Sequence, residues 1–484
     1  MPASVPIPSR PARRCWSSRL CWTLQGPTRR PDASRARRWA TTVSVAVTVV
    51  LALACGCADA GPAGPAGAAQ SIHIDTNTPQ GLRAKQIMDM LNSDWPIGPN
   101  GIRTLAAPEV MDDVGVTMDK IWWDRPFTLT GLEIGAGSAT LHLLTSYQVA
   151  QTIELRTNDA GLVDRFKLSL VPPVIKSWDD IDAEIAKTGA QYSYQVSKVI
   201  PDGSAGKCVS VAGTNTDLSL PLASIFKLYV LLAVSDAVKD GTVNWDDQLT
   251  VTKEGKAVGA AGLDDVPNGS TVSVRTAAQQ MISASDNMAT DLLIQRVGHS
   301  AVERALVTAG HHDPASMTPF PTTHELFSVG WGRPNLREQW KKMSSTAAGR
   351  AELFKQTNSR PYDPDPQRTH TPASDIGAEW YASANDICRV HAALQASAVG
   401  AAAPVKDILA AIPGIDLDRA KWPYIGAKGG NLPGDLTFSW YAVDHTGQPY
   451  VVSFQLNWPK FRSQTTAGWL LSIVKQTFDL IPVP

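Results

Sequence analysis

Apolar and polar positions along the chain fall into two blocks of regular structure separated by Pro172-Pro173. In the first, residues 79–92 have the spacing of a helix that opens on Pro79. Strand-like alternation follows between Phe127 and Val171, clearest in Phe127-Thr128-Leu129-Thr130 and Phe166-Lys167-Leu168-Ser169-Leu170. A helix followed by a curved antiparallel sheet predicts a small α+β domain over residues 76–174. Within it, His142 and the pair Trp122-Trp123 read as strand and core residues.

The second block, residues 175–484, opens with a predicted helix over Asp179–Lys187. Strands Tyr192–Val199 and Lys207–Val211 follow around the turn Pro201-Asp202-Gly203. An apolar helix spans Leu228–Val238 and a helical run spans Thr276–Val297. The block closes with strands Thr437–Asp444 and Tyr450–Leu456 and a helix near Trp469–Leu480. Strands at both ends with helices between them predict one sheet built from both termini and packed on a helical layer. A long stretch, Trp331 to Ser374, contains helical parts at Leu336–Met343 and Ala347–Gln356 and the proline-rich segment Arg360–Pro372. Segments of this length between elements often form a lid or a substrate wall. Trp331, Trp340 and Trp380 read as core.

Charge changes the picture at the N-terminus. The chain has 484 residues and a net charge of −1, but residues 1–38 hold nine arginines and one acid, Asp32. With +8 there and no charge over 39–56, the remainder from Cys57 carries −9. An acidic body argues against nucleic acid as a partner, because phosphate binding needs a basic face. The arginines belong instead to targeting: after Arg37-Arg38 comes an uncharged apolar run, Trp39–Ala54, then Cys55-Gly56-Cys57. This run is shorter than the roughly 20 residues a spanning helix needs. Residues 1–56 read as an export signal resembling that of a bacterial lipoprotein, with Cys57 the preferred lipidated cysteine and Cys55 second. The small residues from Cys57 to about 75 read as a flexible tether. The expected location is the cell envelope, with membrane contact through the lipid anchor. Cys208 and Cys388 are the cysteines left in the body; export permits a disulfide, and two separate buried thiols fit equally well.

The sharpest chemical feature is Ser224-Ile225-Phe226-Lys227 at the start of the apolar helix. Spacing of i, i+3 puts hydroxyl and ammonium on one helix face. A serine hydroxyl needs an adjacent base to act as a nucleophile, and a desolvated lysine can serve. Ser285-Asp286-Asn287 follows 61 residues after Ser224, and Lys428-Gly429-Gly430 follows 143 residues after Ser285, just ahead of a predicted strand. No His-x-His or His-Glu-x-x-His spacing occurs, and the adjacent His311-His312 read as loop residues, so no metal or cofactor is expected.

These three elements, in this order, resemble the penicillin-recognising serine hydrolases and class A β-lactamases over about residues 176–484. The whole arrangement is similar to an actinobacterial family that includes the clavulanate-cluster cephalosporin esterase-like protein and related mycobacterial lipoproteins. That family joins a small NTF2/steroid-isomerase-like α+β domain to a β-lactamase/transpeptidase-like domain. The resemblance implies Ser224 as acylated nucleophile, Lys227 as general base, and Ser285 as proton relay beside Lys428. It implies Asn287, Gly430 and Asn431 on the substrate, Asn287 alternatively holding Lys227, with the Ser224 and Asn431 backbone N–H groups as oxyanion hole. It also leaves room for a lipid-like ligand in the first domain. Two departures matter. Glu325 is the positional candidate for a deacylation base, but it lacks the Leu-Asn that follows such a glutamate. Gly429 stands where the family has a hydroxyl residue that helps hold a β-lactam carboxylate. The expected substrate is a small ester, amide or β-lactam. The expected activity is that of an ester- or amide-cleaving serine hydrolase, with a class A β-lactamase, a D-alanyl peptidase and a non-turnover binding lipoprotein as alternatives.

Overall fold

The computed structural model describes residues 72–202 and 206–483. The signal segment, Cys57 and the tether up to residue 71 lie outside the described residues. Thr78 caps the first helix, Pro79–Leu91, by accepting from Gly81 N at 3.1 Å, with Pro79 at the first helical position. Ala84, Ile87 and Leu91 then bury one stripe of this helix. Two further helices, Pro99–Leu105 and Met111–Trp122, were not foreseen from the sequence. The strands Thr128–Gly135, Ser138–Leu144, Ala150–Thr157 and Val163–Leu170 make an antiparallel meander. A register irregularity between Leu129 and Gly131 breaks the ladder of its first strand pair, and such irregularities increase sheet twist. Met118, Ile121, Leu141, Leu143, Ile153 and Leu155 are among the side chains filling the space between helices and sheet.

The second domain has a five-stranded antiparallel sheet. Its order runs Tyr424–Leu432, Asp435–Val443, Pro449–Asn457, Gln191–Ile200, Lys207–Thr214. Phe454 faces Tyr194 in the pairing that joins C-terminal to N-terminal strands, so the sheet is built from both ends as the pattern predicts. Helices Trp178–Ala186 and Thr465–Leu480 share one apolar core with the sheet. On the other side a helical layer surrounds Lys227–Lys239, a helix buried from Lys227 through Ser235. Trp331, Trp340 and Trp380 all pack into this layer. Among the described residues no helix is long and apolar enough to cross a membrane.

The domains meet through Asp124, which accepts from Ser463 N at 2.8 Å and from Thr465 Oγ1 at 3.1 Å. Trp122 is buried as expected, whereas Trp123 reaches across the boundary to stack on His370 with ring centroids 4.2 Å apart. His142 lies on the open face of its strand, 3.2 Å from Glu133.

Cys208 and Cys388 are joined, with Cα atoms 6.3 Å apart, tying the edge strand Lys207–Thr214 to the helix Ala384–Ser397. This settles a point the sequence left open. The bridge closes a loop across a sequence separation of 180 residues. Replacing both cysteines by serine should therefore lower unfolding stability by about 2–4 kcal/mol, read as a lower denaturant midpoint with the slope unchanged.

Candidate active site

Ser224 lies in a single 3₁₀ turn, Ala223–Phe226, that leads directly into the helix starting at Lys227. Leu220-Pro221 pairs with Tyr381-Ala382, and Leu222 N donates to Trp380 O at 2.8 Å. The chain then turns sharply: Ala223 has φ +43°, a left-handed conformation that side-chain-bearing residues rarely adopt. Thr437 Oγ1 donates to Leu222 O at 2.8 Å, and Phe226 stacks on Trp380 at 3.7 Å, so the turn is held from both sides.

Lys227 is fully buried, and its ammonium has three acceptors. They are Ser285 O at 2.6 Å, Asn287 Oδ1 at 2.7 Å and Ser285 Oγ at 3.2 Å. Burial pulls this lysine down to about 7, against the opposing charges of Asp286 and Asp291. Asn287 donates its amide to Val258 O at 3.1 Å while its Oδ1 accepts from Lys227.

The helical run expected over Thr276–Val297 is two helices, Val274–Ser283 and Asn287–Val297, and Ser285 occupies the break with φ +55°. The break is over-determined by Asp286. One carboxylate oxygen caps the second helix by accepting from Ala289 N at 2.7 Å; the other accepts from Gly262 N and Leu263 N, each at 2.9 Å. The break thus lets Ser285 and Asn287 both reach Lys227 Nζ while Asp286 between them turns to Gly262 and Leu263. Sequence reasoning did not assign Asp286 this part. Nor did it find Asp291, which accepts from Thr323 N at 2.8 Å and His324 N at 2.9 Å and so fixes the start of the helix Thr323–Trp331.

Lys428-Gly429-Gly430 lies inside the edge strand Tyr424–Leu432 and not ahead of it. Lys428 Nζ donates to Ser285 Oγ at 3.0 Å and to Gly429 O at 2.6 Å. Burial, followed by the charge of Lys227, holds Lys428 well below the ordinary lysine range. The hydroxyl of Ser285 thus sits between two desolvated amines. Gly430 is required sterically: a Cβ there would come within 2.5 Å of Ser224 N and 2.6 Å of Thr437 Oγ1. Asn431, half-buried, follows on the same edge. A Cβ at Gly429 would meet Phe438 Cδ1 at 2.9 Å, so the ring of its cross-strand partner opposes any side chain there.

Glu325 lies in the first turn of the helix that Asp291 fixes, and none of its hydrogen bonds goes to Ser224, Lys227, Ser285 or Lys428. Its carboxylate accepts from Thr322 N at 2.7 Å in a capping box and from Asn358 Nδ2 at 2.7 Å. Elsewhere, His311, His312 and Asp386 bring possible ligand atoms within 4.8 Å of one another. Both ring nitrogens of His311 are occupied, Nε2 by Tyr381 O at 2.9 Å and Nδ1 by Asp313 N at 3.0 Å. Asp386 is meanwhile held by Ser383 in a capping box and by Arg389. The group is a hydrogen-bond network tying a loop to a helix.

Residues 178–396 match the model of the beta-lactamase enzyme family, and residues 74–163 match that of the ORF 12 gene product N-terminal domain. A curated relative, beta-lactamase VEB-1 of Pseudomonas aeruginosa, is 23% identical over 105 residues, which cover 21% of this chain and 35% of that protein. The chain therefore spans about a third of the relative it matches. Among solved structures, a β-lactamase from Sphaerobacter thermophilus covers 64% of this chain over its whole length, with 20% identity and a TM-score of 0.43. The chromosome-encoded β-lactamase of Vibrio parahaemolyticus covers 62% of this chain and 96% of itself, with 14% identity and a TM-score of 0.42. Residues 178–396 thus carry a β-lactamase-like segment, behind an ORF 12-type N-terminal segment at residues 74–163.

Proposed function

We propose that this protein is an active-site-serine hydrolase that cleaves an ester or amide through an acyl-enzyme on Ser224. The observation that carries the reading is the convergence of Lys227, three residues after Ser224, and Lys428 on Ser285 Oγ. With its pKa near 7, Lys227 can be neutral at physiological pH and take the Ser224 proton as the hydroxyl attacks the carbonyl carbon. The backbone N–H groups of Ser224 and Asn431 would stabilise the oxyanion. As the tetrahedral intermediate collapses, the proton passes from Lys227 through Ser285 to the leaving oxygen or nitrogen, and Lys428 keeps the Ser285 hydroxyl oriented.

Release of the acyl group needs a proton acceptor for water. Glu325 is committed to Thr322 and Asn358, so we assign that step to Lys227 again. The absence of a hydroxyl at Gly429 favours substrates without a carboxylate beside the scissile carbonyl. The test is a panel of a p-nitrophenyl ester, a chromogenic cephalosporin and a fluorescent penicillin, run on wild type and Ser224→Ala. Ester turnover confined to wild type, with slow cephalosporin opening, is the expected result. Rapid cephalosporin hydrolysis would replace this reading with a true β-lactamase, and identical behaviour of both proteins would remove the catalytic reading.

We further propose export to the cell envelope with a lipid on Cys57. The Cys208–Cys388 disulfide supports an oxidising compartment. Cys57→Ser should move the protein from the membrane to the soluble fraction; an unchanged membrane fraction would exclude this anchor.

A further inference from the structure

Outside the serine site, Glu379 and Asp435 form a second concentration of buried charge-bearing groups. Glu379 lies in the loop before the short strand Tyr381-Ala382, and Asp435 begins the strand Asp435–Val443. They are 6% and 2% exposed. Three of their four carboxylate oxygens, both of Glu379 and Oδ2 of Asp435, lack a hydrogen bond of good geometry, with Trp380 N near Glu379 and the Ser374 hydroxyl near Asp435 as the polar groups beside them. The fourth, Asp435 Oδ1, accepts from Asn457 Nδ2. Among the described residues no lysine, arginine or histidine forms an ion pair with either group. Burial, and for Glu379 the nearby Asp435, holds both carboxyls above their ordinary range, Asp435 at about 8. Tyr381 feels Glu379, Asp435 and Asp375, all of them negative when ionised.

Buried polar atoms without partners are rare in folded proteins, and an unseen ion is one of the few physical explanations. Buried carboxylates without a counter-charge are costlier still. We infer that Glu379 and Asp435 bind a hard divalent cation of the calcium type, with the hydroxyl of Ser374 beside them. The donors are oxygens alone, which select hard cations over zinc or copper, and two carboxylates neutralise one divalent charge. Ser374 Oγ accepts from Asn457 Nδ2 at 3.0 Å, which places that hydroxyl on the same side chain that holds Asp435. The ion would clasp three segments: the end of the long insertion at Ser374, the loop carrying Glu379, and the turn at Gly434. That turn leads back through Pro433 and Leu432 to Asn431, so the site braces the edge of the candidate oxyanion hole without touching substrate. The inference is independent of whether Ser224 is a nucleophile.

The test uses the full chain, stripped with chelator and titrated with calcium, and separately with terbium, whose luminescence nearby Trp380 and Tyr381 would sensitise. At calcium about a hundredfold above its Kd the unfolding midpoint should rise by on the order of 5 °C. Because protons compete for the same oxygens, affinity should increase from pH 6 to pH 9. Without calcium, the raised carboxyl pKa values mean that stability contributed by the protonated pair is lost as pH rises through about 8. Calcium should remove that loss. Glu379→Gln should fold, bind no terbium and show no calcium-dependent midpoint, while Asp375→Asn, one residue beyond the site, should retain both responses. Absence of terbium binding and of a calcium shift in wild type at pH 9 would overturn the cation site and leave a protonated acid pair. Equal responses in wild type and Glu379→Gln would place the cation elsewhere and overturn it as well.

Discussion

Ester turnover should fall by at least about 10⁴-fold in Ser224→Ala and by about 10²–10⁴-fold in Lys227→Ala, in kcat more than in KM. The two residues act as one unit, so the double variant should be little worse than Ser224→Ala alone. Lys227 is reached by burial on every side, and its three acceptors are groups of the broken helix, Ser285 and Asn287. Its depressed pKa follows from that desolvation. The sign of the pH dependence follows in turn. The neutral amine is the competent base, so kcat/KM should rise with pH through about 7 and level off above it. Lys227→Arg keeps a permanent charge and should be as inactive as the alanine variant. A flat profile from pH 5 to pH 9 in wild type, or an active arginine variant, would count against Lys227 as base. Asn287→Ala offers a subtler check: it removes one acceptor of Lys227 and should displace the profile toward lower pH, since the charged amine loses a partner.

Gly430→Ala should reduce ester turnover about 10²–10³-fold while leaving most of the fold intact. The cause is steric and local. A Cβ at 430 would sit 2.5 Å from Ser224 N, 2.6 Å from Thr437 Oγ1 and 2.8 Å from Ala223 Cβ. Of these neighbours, Ser224 N is backbone, already held by the Ala223 turn with φ +43° and by the Leu222 contacts. Relief must come from moving the edge strand away, which takes the proposed oxyanion donors out of register with each other. The comparison variant is Gly429→Ala. Its Cβ meets the Phe438 ring at 2.9 Å, a side chain that can tilt, so its loss should be smaller. Measuring kcat/KM alongside the denaturant midpoint separates the two effects. A Gly430→Ala protein with wild-type turnover would mean that this edge takes no part in the reaction.

Much of this was legible in the chain itself. Apolar periodicity placed the terminal helices and four of the five strands of the larger sheet within a few residues, because their buried faces repeat at 3.6 or 2 residues along a local stretch; the edge strand Tyr424–Leu432 escaped it. The residues Ser224, Lys227, Ser285, Asn287 and Lys428 were legible from motif spacing. Two helices of the first domain escaped because one is a single short segment and the other follows a turn without a strong cap. The helix break at Ser285 escaped because its cause, Asp286 bonding to Gly262 and Leu263, is a contact across 23 or 24 residues. The pairing of Cys208 with Cys388 escaped for the same reason on a larger scale.

By itself, then, the sequence determined which residue types the site contains and the order of the layers, since both are written in local spacing. Only the tertiary structure decided how they are placed and what surrounds them. It made Lys227 a buried amine near neutrality, put Ser285 Oγ between two lysines, turned Glu325 to capping a helix, and sealed Glu379 and Asp435 in the interior. Each of these is a matter of which distant groups displace water from a side chain. Desolvation and hydrogen-bond partners are properties of the folded surroundings, so no reading of a residue's neighbours along the chain could supply them.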